Sequence, residues 1–481
     1  MNRPCLVLFL SMISAPLHAD SYAPFVDFRQ VEPTGRYYLV VKKLLGNPED
    51  PGRGTAVEFT LAETKPGAPP PPEVEDERYG FRQVKTNPEV KVREGDRIVG
   101  RGEFERVPSR IRISSTGLGF IGLDVRGYNF GDTKSPNAMV IVAPNGTIRH
   151  RKCLKDLFSH SEIASFMVTA GGMFWAYDGW IDEKRREAVV IGWSRGNDDE
   201  EDEKKPKRYY IRVVNLDTGN VRLGSPEDFV TAVAERNRGG LDVALDLVAE
   251  LKLASARPHL PKHFDDGSLP LESRLRAAVA LAVFGDRRGE ALMAKSSLEK
   301  GPAQLYAVEH LPDLLGNRAA PVLCEAIRRN GEVVHTEAWQ AMKRVDAAAA
   351  VPALIQLLND RKSPDGMDYA AECLGDKGPA AKAAIPDLIR LINDRPQTER
   401  PDWTVRLAVM ALGEIGPDAK ESLPLLRKLE RESYQAYQML SLAKKKNSRV
   451  PFNDPIEDEL WSLESFNQDA YKAIRRIEKR P

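Results

Sequence analysis

The chain has 481 residues, is 42% hydrophobic and 29% charged, and balances 70 Lys+Arg against 70 Asp+Glu. That length suits two or three domains, and the composition builds ordinary cores rather than a disordered polyampholyte. Residues 20–240 hold 34 basic and 34 acidic side chains and residues 241–481 hold 35 and 36, so neither half has the positive excess that a nucleic acid or an anionic membrane demands.

Residues 1–19 have the order of a secretory signal peptide. Arg3 supplies the charge, an apolar run follows from Cys5, and Ala19 precedes Asp20. The run is about half the ~20 residues of a membrane-spanning helix. The reading predicts cleavage between Ala19 and Asp20, an exported protein in the periplasm or outside the cell, and no integral membrane segment after cleavage. Beyond Cys5 the cysteines are Cys153, Cys324 and Cys373. Three thiols allow at most one internal disulfide, far from a disulfide-built scaffold.

Composition shifts near residue 240. Residues 20–240 contain 22 aromatics and 12 alanines, and residues 241–481 contain 12 and 35. Aromatic and β-branched residues fit pleated sheets, and alanine favours helix. The division predicts a signal peptide over 1–19, a β-rich domain over 20–240 and an α-helical domain over 241–481.

In chain order the β region shows short apolar or alternating runs at Tyr37–Val41, Thr55–Leu61 (Val57, Phe59 and Leu61 on one face), Arg97–Val99, Ile111–Ile113 and Ala138–Val142. Pro144-Asn145-Gly146 then turns the chain into Thr147-Ile148-Arg149. Trp180-Ile181 pairs across a charged turn with residues 187–191, and residues 210–216 turn at Asp217-Thr218-Gly219 into residues 220–223. This rhythm predicts an antiparallel sandwich, barrel or propeller fragment. Residues 65–77, with four consecutive prolines, and the acid-then-base block 197–208 read as surface loops.

The helical region repeats. Ala350-Val351-Pro352-Ala353-Leu354-Ile355-Gln356-Leu357-Leu358 aligns with Ala384-Ile385-Pro386-Asp387-Leu388-Ile389-Arg390-Leu391-Ile392 and with Ser422-Leu423-Pro424-Leu425-Leu426. The prolines are 34 and 38 residues apart. A second line recurs in phase: Tyr369-Ala370-Ala371-Glu372-Cys373-Leu374-Gly375 beneath Leu407-Ala408-Val409-Met410-Ala411-Leu412-Gly413. Such a period, made of two short helices, predicts an α-α superhelical solenoid. Each proline suits the first turn of a helix, where its missing N–H costs nothing. The alanines and glycines let neighbouring second helices approach closely. Weaker copies begin near Pro321, Glu290 and Val243, and a closing helix is expected around residues 469–477.

These motifs resemble HEAT repeats, an armadillo-type fold, and are most similar to the bacterial class labelled phycobilisome-lyase HEAT-like. The clear match covers residues 350–430 and a looser one about 241–480. Arg406 keeps the arginine usual in the second helix, and Asp368 stands at the equivalent position without it. The resemblance implies a protein-binding or scaffolding surface rather than the lyase activity. In the β region, Val214–Val221 resembles the strand-turn of propeller-type repeats.

Chemical motifs are sparse. Gly192-Trp193-Ser194-Arg195-Gly196 spells a nucleophile elbow, yet a strand leads into an acidic loop there and no helix follows. Gly117-Leu118-Gly119-Phe120-Ile121-Gly122 spells a dinucleotide fingerprint inside strand sequence. His259 and His263 have zinc-ligand spacing, but Pro258 and Pro261 argue against the helix that would align them. No catalytic residue, metal or cofactor is expected. Phe174 to Trp180 remains: Trp175, Tyr177 and Trp180 are candidate ligand-contact aromatics beside Asp178 and Asp182, with core packing as the commoner use of such rings.

Two functional classes follow. The first is an exported, non-catalytic interaction or scaffold protein whose solenoid binds an unidentified protein partner. The second is an enzyme or carbohydrate-binding protein with its site in the β domain.

Overall fold

The aromatic and β-branched runs of the first half form three four-stranded antiparallel sheets, each a meander in chain order. The structure is a computed structural model. It describes residues 28–43 except 33, 57–72, 90–123 except 105–107 and 109, 138–194 except 170 and 171, 208–395 except 238, 402–446 and 455–478. The expected signal peptide, its Ala19–Asp20 junction and most of the 197–208 loop lie outside these residues.

The first sheet joins β1 (Phe28–Val31), β2 (Tyr37–Lys43), β3 (Val57–Glu63) and β4 (Arg97–Phe104). The second joins β5 (Arg110–Ile113), β6 (Phe120–Leu123), β7 (Met139–Val142) and β8 (Ile148–Lys152). Two single-turn helices, α1 (Leu154–Leu157) and α2 (His160–Ile163), and a ribbon of β9 (Met167–Thr169) and β10 (Gly172–Phe174) follow. The third sheet joins β11 (Ala176–Asp182), β12 (Glu187–Ser194), β13 (Arg208–Asn215) and β14 (Val221–Leu223). Helices α3 (Pro226–Ala234) and α4 (Leu241–Glu250) complete this unit, Met1–Ala256.

Period-two alternation explains why the two central strands of the middle sheet, β6 and β7, read as continuous apolar runs. Phe120, Val140 and Val142 point to a core shared with Leu39, Phe59 and Leu61 of the first sheet. Ile121, Leu123, Met139 and Ile141 point the other way, to a core shared with Trp175, Ala188 and Val190. A strand buried on both faces loses the polar half of its alternation. Polar contacts also join the sheets: the Gln30 amide donates to the Ile111 carbonyl at 2.8 Å, and Arg112 donates to both Asp178 oxygens at 2.7 Å.

The second unit, Arg257–Pro481, is helical. It contains α5 (Leu260–Asp265), α6 (Leu271–Val283), α7 (Glu290–Leu298), α8 (Gln304–Leu315), α9 (Ala319–Lys343, kinked at Gly331), α10 (Ala347–Leu358) and α11 (Pro364–Asp376). Then come α12 (Ile385–Asp394), α13 (Trp403–Ile415), α14 (Leu423–Lys446) and α15 (Pro455–Ile477). The division falls at Ala256/Arg257, so α4 belongs to the first unit although composition changes before it.

Pro386 and Pro424 occupy the first turns of their helices, as their spacing predicts. Pro352 does not. It sits inside α10 because Ala347–Ala350 extends the helix forward by more than a turn, and alanine propensity offsets the missing hydrogen bond. Gly378 and Gly416, each before a proline, take positive φ of 54° and 78° where α11 and α13 end. Helix α11 packs against both α9 and α13, and α13 packs against α15.

Candidate functional site

Helices α11 and α13 are mostly buried, and each leaves one file of side chains. Along α13 only Trp403, Arg406, Met410 and Glu414 escape burial. From Asp365 along α11, only Asp365, Asp368, Glu372 and Asp376 do. Both sets follow i, i+3, i+7, i+11, one face of an α-helix. They are offset by 38 residues at every position, the step that separates Pro386 from Pro424. His335, Trp339 and Lys343 in the second half of α9 stand 33 residues before Asp368, Glu372 and Asp376. The three files therefore share one face of α9, α11 and α13.

Small residues set the spacing beneath this face. A Cβ on Gly375 would stand 3.3 Å from the Ala411 Cα, and one on Gly413 would stand 2.7 Å from the Ala473 Cα. The helices are locked in register by polar contacts. The buried Tyr369 hydroxyl donates to the Ala338 carbonyl at 2.8 Å, and Lys377 Nζ donates to the Met342 and Val345 carbonyls at 2.9 and 2.7 Å.

The chemistry of the face is stepped. The α11 file is wholly acidic. His335 Nε2 approaches Glu372 at 3.6 Å and Lys343 Nζ approaches Asp376 at 3.8 Å, both looser than a good ion pair. The Lys343 ammonium sits 3.2 Å from the centre of the Trp339 ring. Thr404 Oγ1 donates to Asp368. Burial holds Asp368, Glu372 and Asp376 above the ordinary carboxylate range, and the neighbouring hydroxyl and cations only partly oppose it. The α13 file is mixed: Trp403 is 57% exposed and Met410 40%. The Arg406 guanidinium lies over Trp403 and pairs with Asp469 at 2.6 Å. Glu414 pairs with Arg476.

The β unit contributes a cleft of about 310 Å³ lined by Glu162, Tyr209, Tyr210, Arg212, Leu223 and Leu251, among others. Its charged groups are committed to the fold. Arg212, 6% exposed, donates to the Leu157 carbonyl and to both Glu162 oxygens. The Tyr209 hydroxyl donates to Glu250 at 2.6 Å. The cleft therefore offers mainly tyrosine rings and leucine side chains.

The aromatic run is divided by the structure. Trp175 is fully buried beside Phe158, and Trp180, 1% exposed, lies 6.0 Å from Phe229. Neither ring presents a face to a ligand. Tyr177 is half-buried and meets Tyr209 edge-on at 5.4 Å. Asp178 is buried between Arg110 and Arg112, and Asp182 is bound by Arg185. A bulge between Ala176 and Asp178 breaks the simple alternation expected of this strand.

Ser194 is a buried strand residue paired with Arg208, so it is no strand-to-helix elbow. Gly122 lies within β6, with no helix at the third glycine. His263 contradicts one expectation: α5 does form, with Pro261 in its first turn, where proline is tolerated. His263 is nonetheless 1% exposed, and among the described residues no group of three or more His, Cys, Asp or Glu is placed to hold a metal ion. Among those residues, too, no helix is long and apolar enough to cross a membrane.

No protein-family model matches the chain, and no curated protein is significantly similar to it.

Proposed function

We propose that this is an exported interaction protein whose helical unit is a HEAT-like solenoid, and that the shared face of α9, α11 and α13 binds a protein partner. One observation carries the reading: α13, and α11 from Asp365, leave the same four positions unburied and no others, and those positions bear aromatic, apolar and charged groups rather than a uniform solubilising set. A surface kept for solubility alone has no need of a tryptophan 57% exposed and a methionine 40% exposed in one file. The three meanders of the β unit are propeller-type repeats on this reading. They are fewer than the four or more blades of a closed ring, and they serve as a separate docking or sensing module.

Photo-cross-linking tests the binding face. A photoreactive residue at Met410 of the full chain, exposed to an extract of its source cells, yields a discrete adduct that excess unlabelled chain suppresses. No adduct from Met410, with one from Leu223 beside the β cleft, would favour a ligand-binding β unit instead. Export is tested by sequencing the N-terminus of the mature protein, expected at Asp20.

A further inference from the structure

The partner's chemistry follows from charge and spacing on the same face, and the inference rests on the reading just given. The α11 file spans Asp365 to Asp376, about 16 Å at the helical rise. Its four carboxylates are set at i, i+3, i+7 and i+11, about 5–6 Å apart. Among the described residues their ion pairs are with His335, when its ring is protonated, and Lys343, both at more than 3.5 Å, with Arg395 and Lys377 acting from further off. Arg406 and Arg476 are spent on Asp469 and Glu414. Trp339 flanks the file on one side, and Trp403 and Met410 flank it on the other. An extended chain presents same-side residues about 6.6 Å apart, close to the spacing of the acids.

We propose that the α9–α11–α13 face docks an extended segment of another protein that carries Lys or Arg at alternate positions. The cationic heads pair with Asp368, Glu372 and Asp376. Their aliphatic stems cover the exposed parts of Met410 and Trp403, as long basic side chains do on apolar surface. About five residues span the file. Lys343, already seated on Trp339, shows that the face accepts an ammonium in this position. Burial of three carboxylates, only partly offset by their neighbours, gives the incoming cations something to relieve.

The test uses the full chain and fluorescein-labelled ten-residue peptides, alternating Lys-Ala and alternating Glu-Ala, read by anisotropy. The Lys-Ala peptide is expected to bind and the Glu-Ala peptide not. Asp368→Asn/Glu372→Gln/Asp376→Asn is expected to weaken Lys-Ala binding about tenfold or more. Asp418→Asn/Glu421→Gln/Glu432→Gln, the same change in net charge off this face, is expected to leave it within about twofold. Equal weakening by both triple variants would overturn the proposal, because attraction would then be general. So would unchanged binding in the first variant, or absence of Lys-Ala binding while Met410 still cross-links a partner. That last result would leave the docking face standing and remove its basic ligand. Thermal melts of each variant separate lost binding from lost folding.

Discussion

The Cα of Ala473 lies 2.7 Å from where a Cβ on Gly413 would stand. Helices α13 and α15 therefore meet almost backbone to backbone, and the contact is to a main-chain atom that cannot rotate aside. Gly413→Ala should cost about 1–3 kcal/mol through overpacking, despite the helix propensity that alanine adds. Gly375→Ala, whose new methyl would lie 3.3 Å from the Ala411 Cα, should be close to neutral. Thermal melts of the two variants check the difference; equal effects would mean that α15 does not seat on α13 as described.

Lys377, at the C-terminal end of α11, closes the end of α9. Its ammonium donates to the carbonyls of Met342, which also accepts the Val345 N–H, and of Val345, just past the helix end. Lys377→Met should cost about 1–3 kcal/mol, the range for losing charge-assisted hydrogen bonds. Urea titration reads this as a lower midpoint with an unchanged slope.

In the β unit, Trp175 and Trp180 serve packing. Trp175→Ala and Trp180→Ala should each cost about 3–5 kcal/mol. Tyr177→Phe should stay within about 1 kcal/mol, since the ring that meets Tyr209 is kept. Chemical denaturation separates the classes, and a stable Trp175→Ala would argue against the core described for the third sheet.

Acid should favour the helical unit at the α11 file. Asp368, Glu372 and Asp376 bind their protons more tightly when folded than an ordinary carboxyl does. Folding then takes up protons, so this contribution is full below the unfolded pKa of about 4 and is lost as pH rises through the raised folded values. Asp368→Asn/Glu372→Gln/Asp376→Asn should raise the melting temperature at about pH 7 and leave little gap near pH 3, where both states are protonated. A gap of the same size at both pH values would contradict the assignment.

Much of the fold is legible in sequence. Alternating runs mark the strands, and the segments around Pro352, Pro386 and Pro424 mark helices. Strand β7 at the centre of the middle sheet is readable as a run because both its faces are apolar. Burial of Trp175 and Trp180 is readable only as the commoner use of such rings, since alternation cannot register a bulge at Ala176/Asp178 or the arrival of Phe229 from α3. The candidate face was hidden differently. Aligning the repeats on their buried positions, Ala370 with Ala408 and Leu374 with Leu412, draws attention away from the residues between them. The same alignment read for exposed positions places Asp368 under Arg406 and Glu372 under Met410. Which helices are neighbours, and which cations are already engaged, needed coordinates: Arg406 is spent on Asp469, 63 residues later.

Cross-linking from three sites tests the central claim most directly. Photoreactive residues would replace Met410 on the proposed face, Met439 on α14 and Leu223 beside the β cleft, all of them exposed. The account predicts one competable adduct from Met410 and none from the other two. An adduct from Met439 or Leu223, with none from Met410, would contradict it.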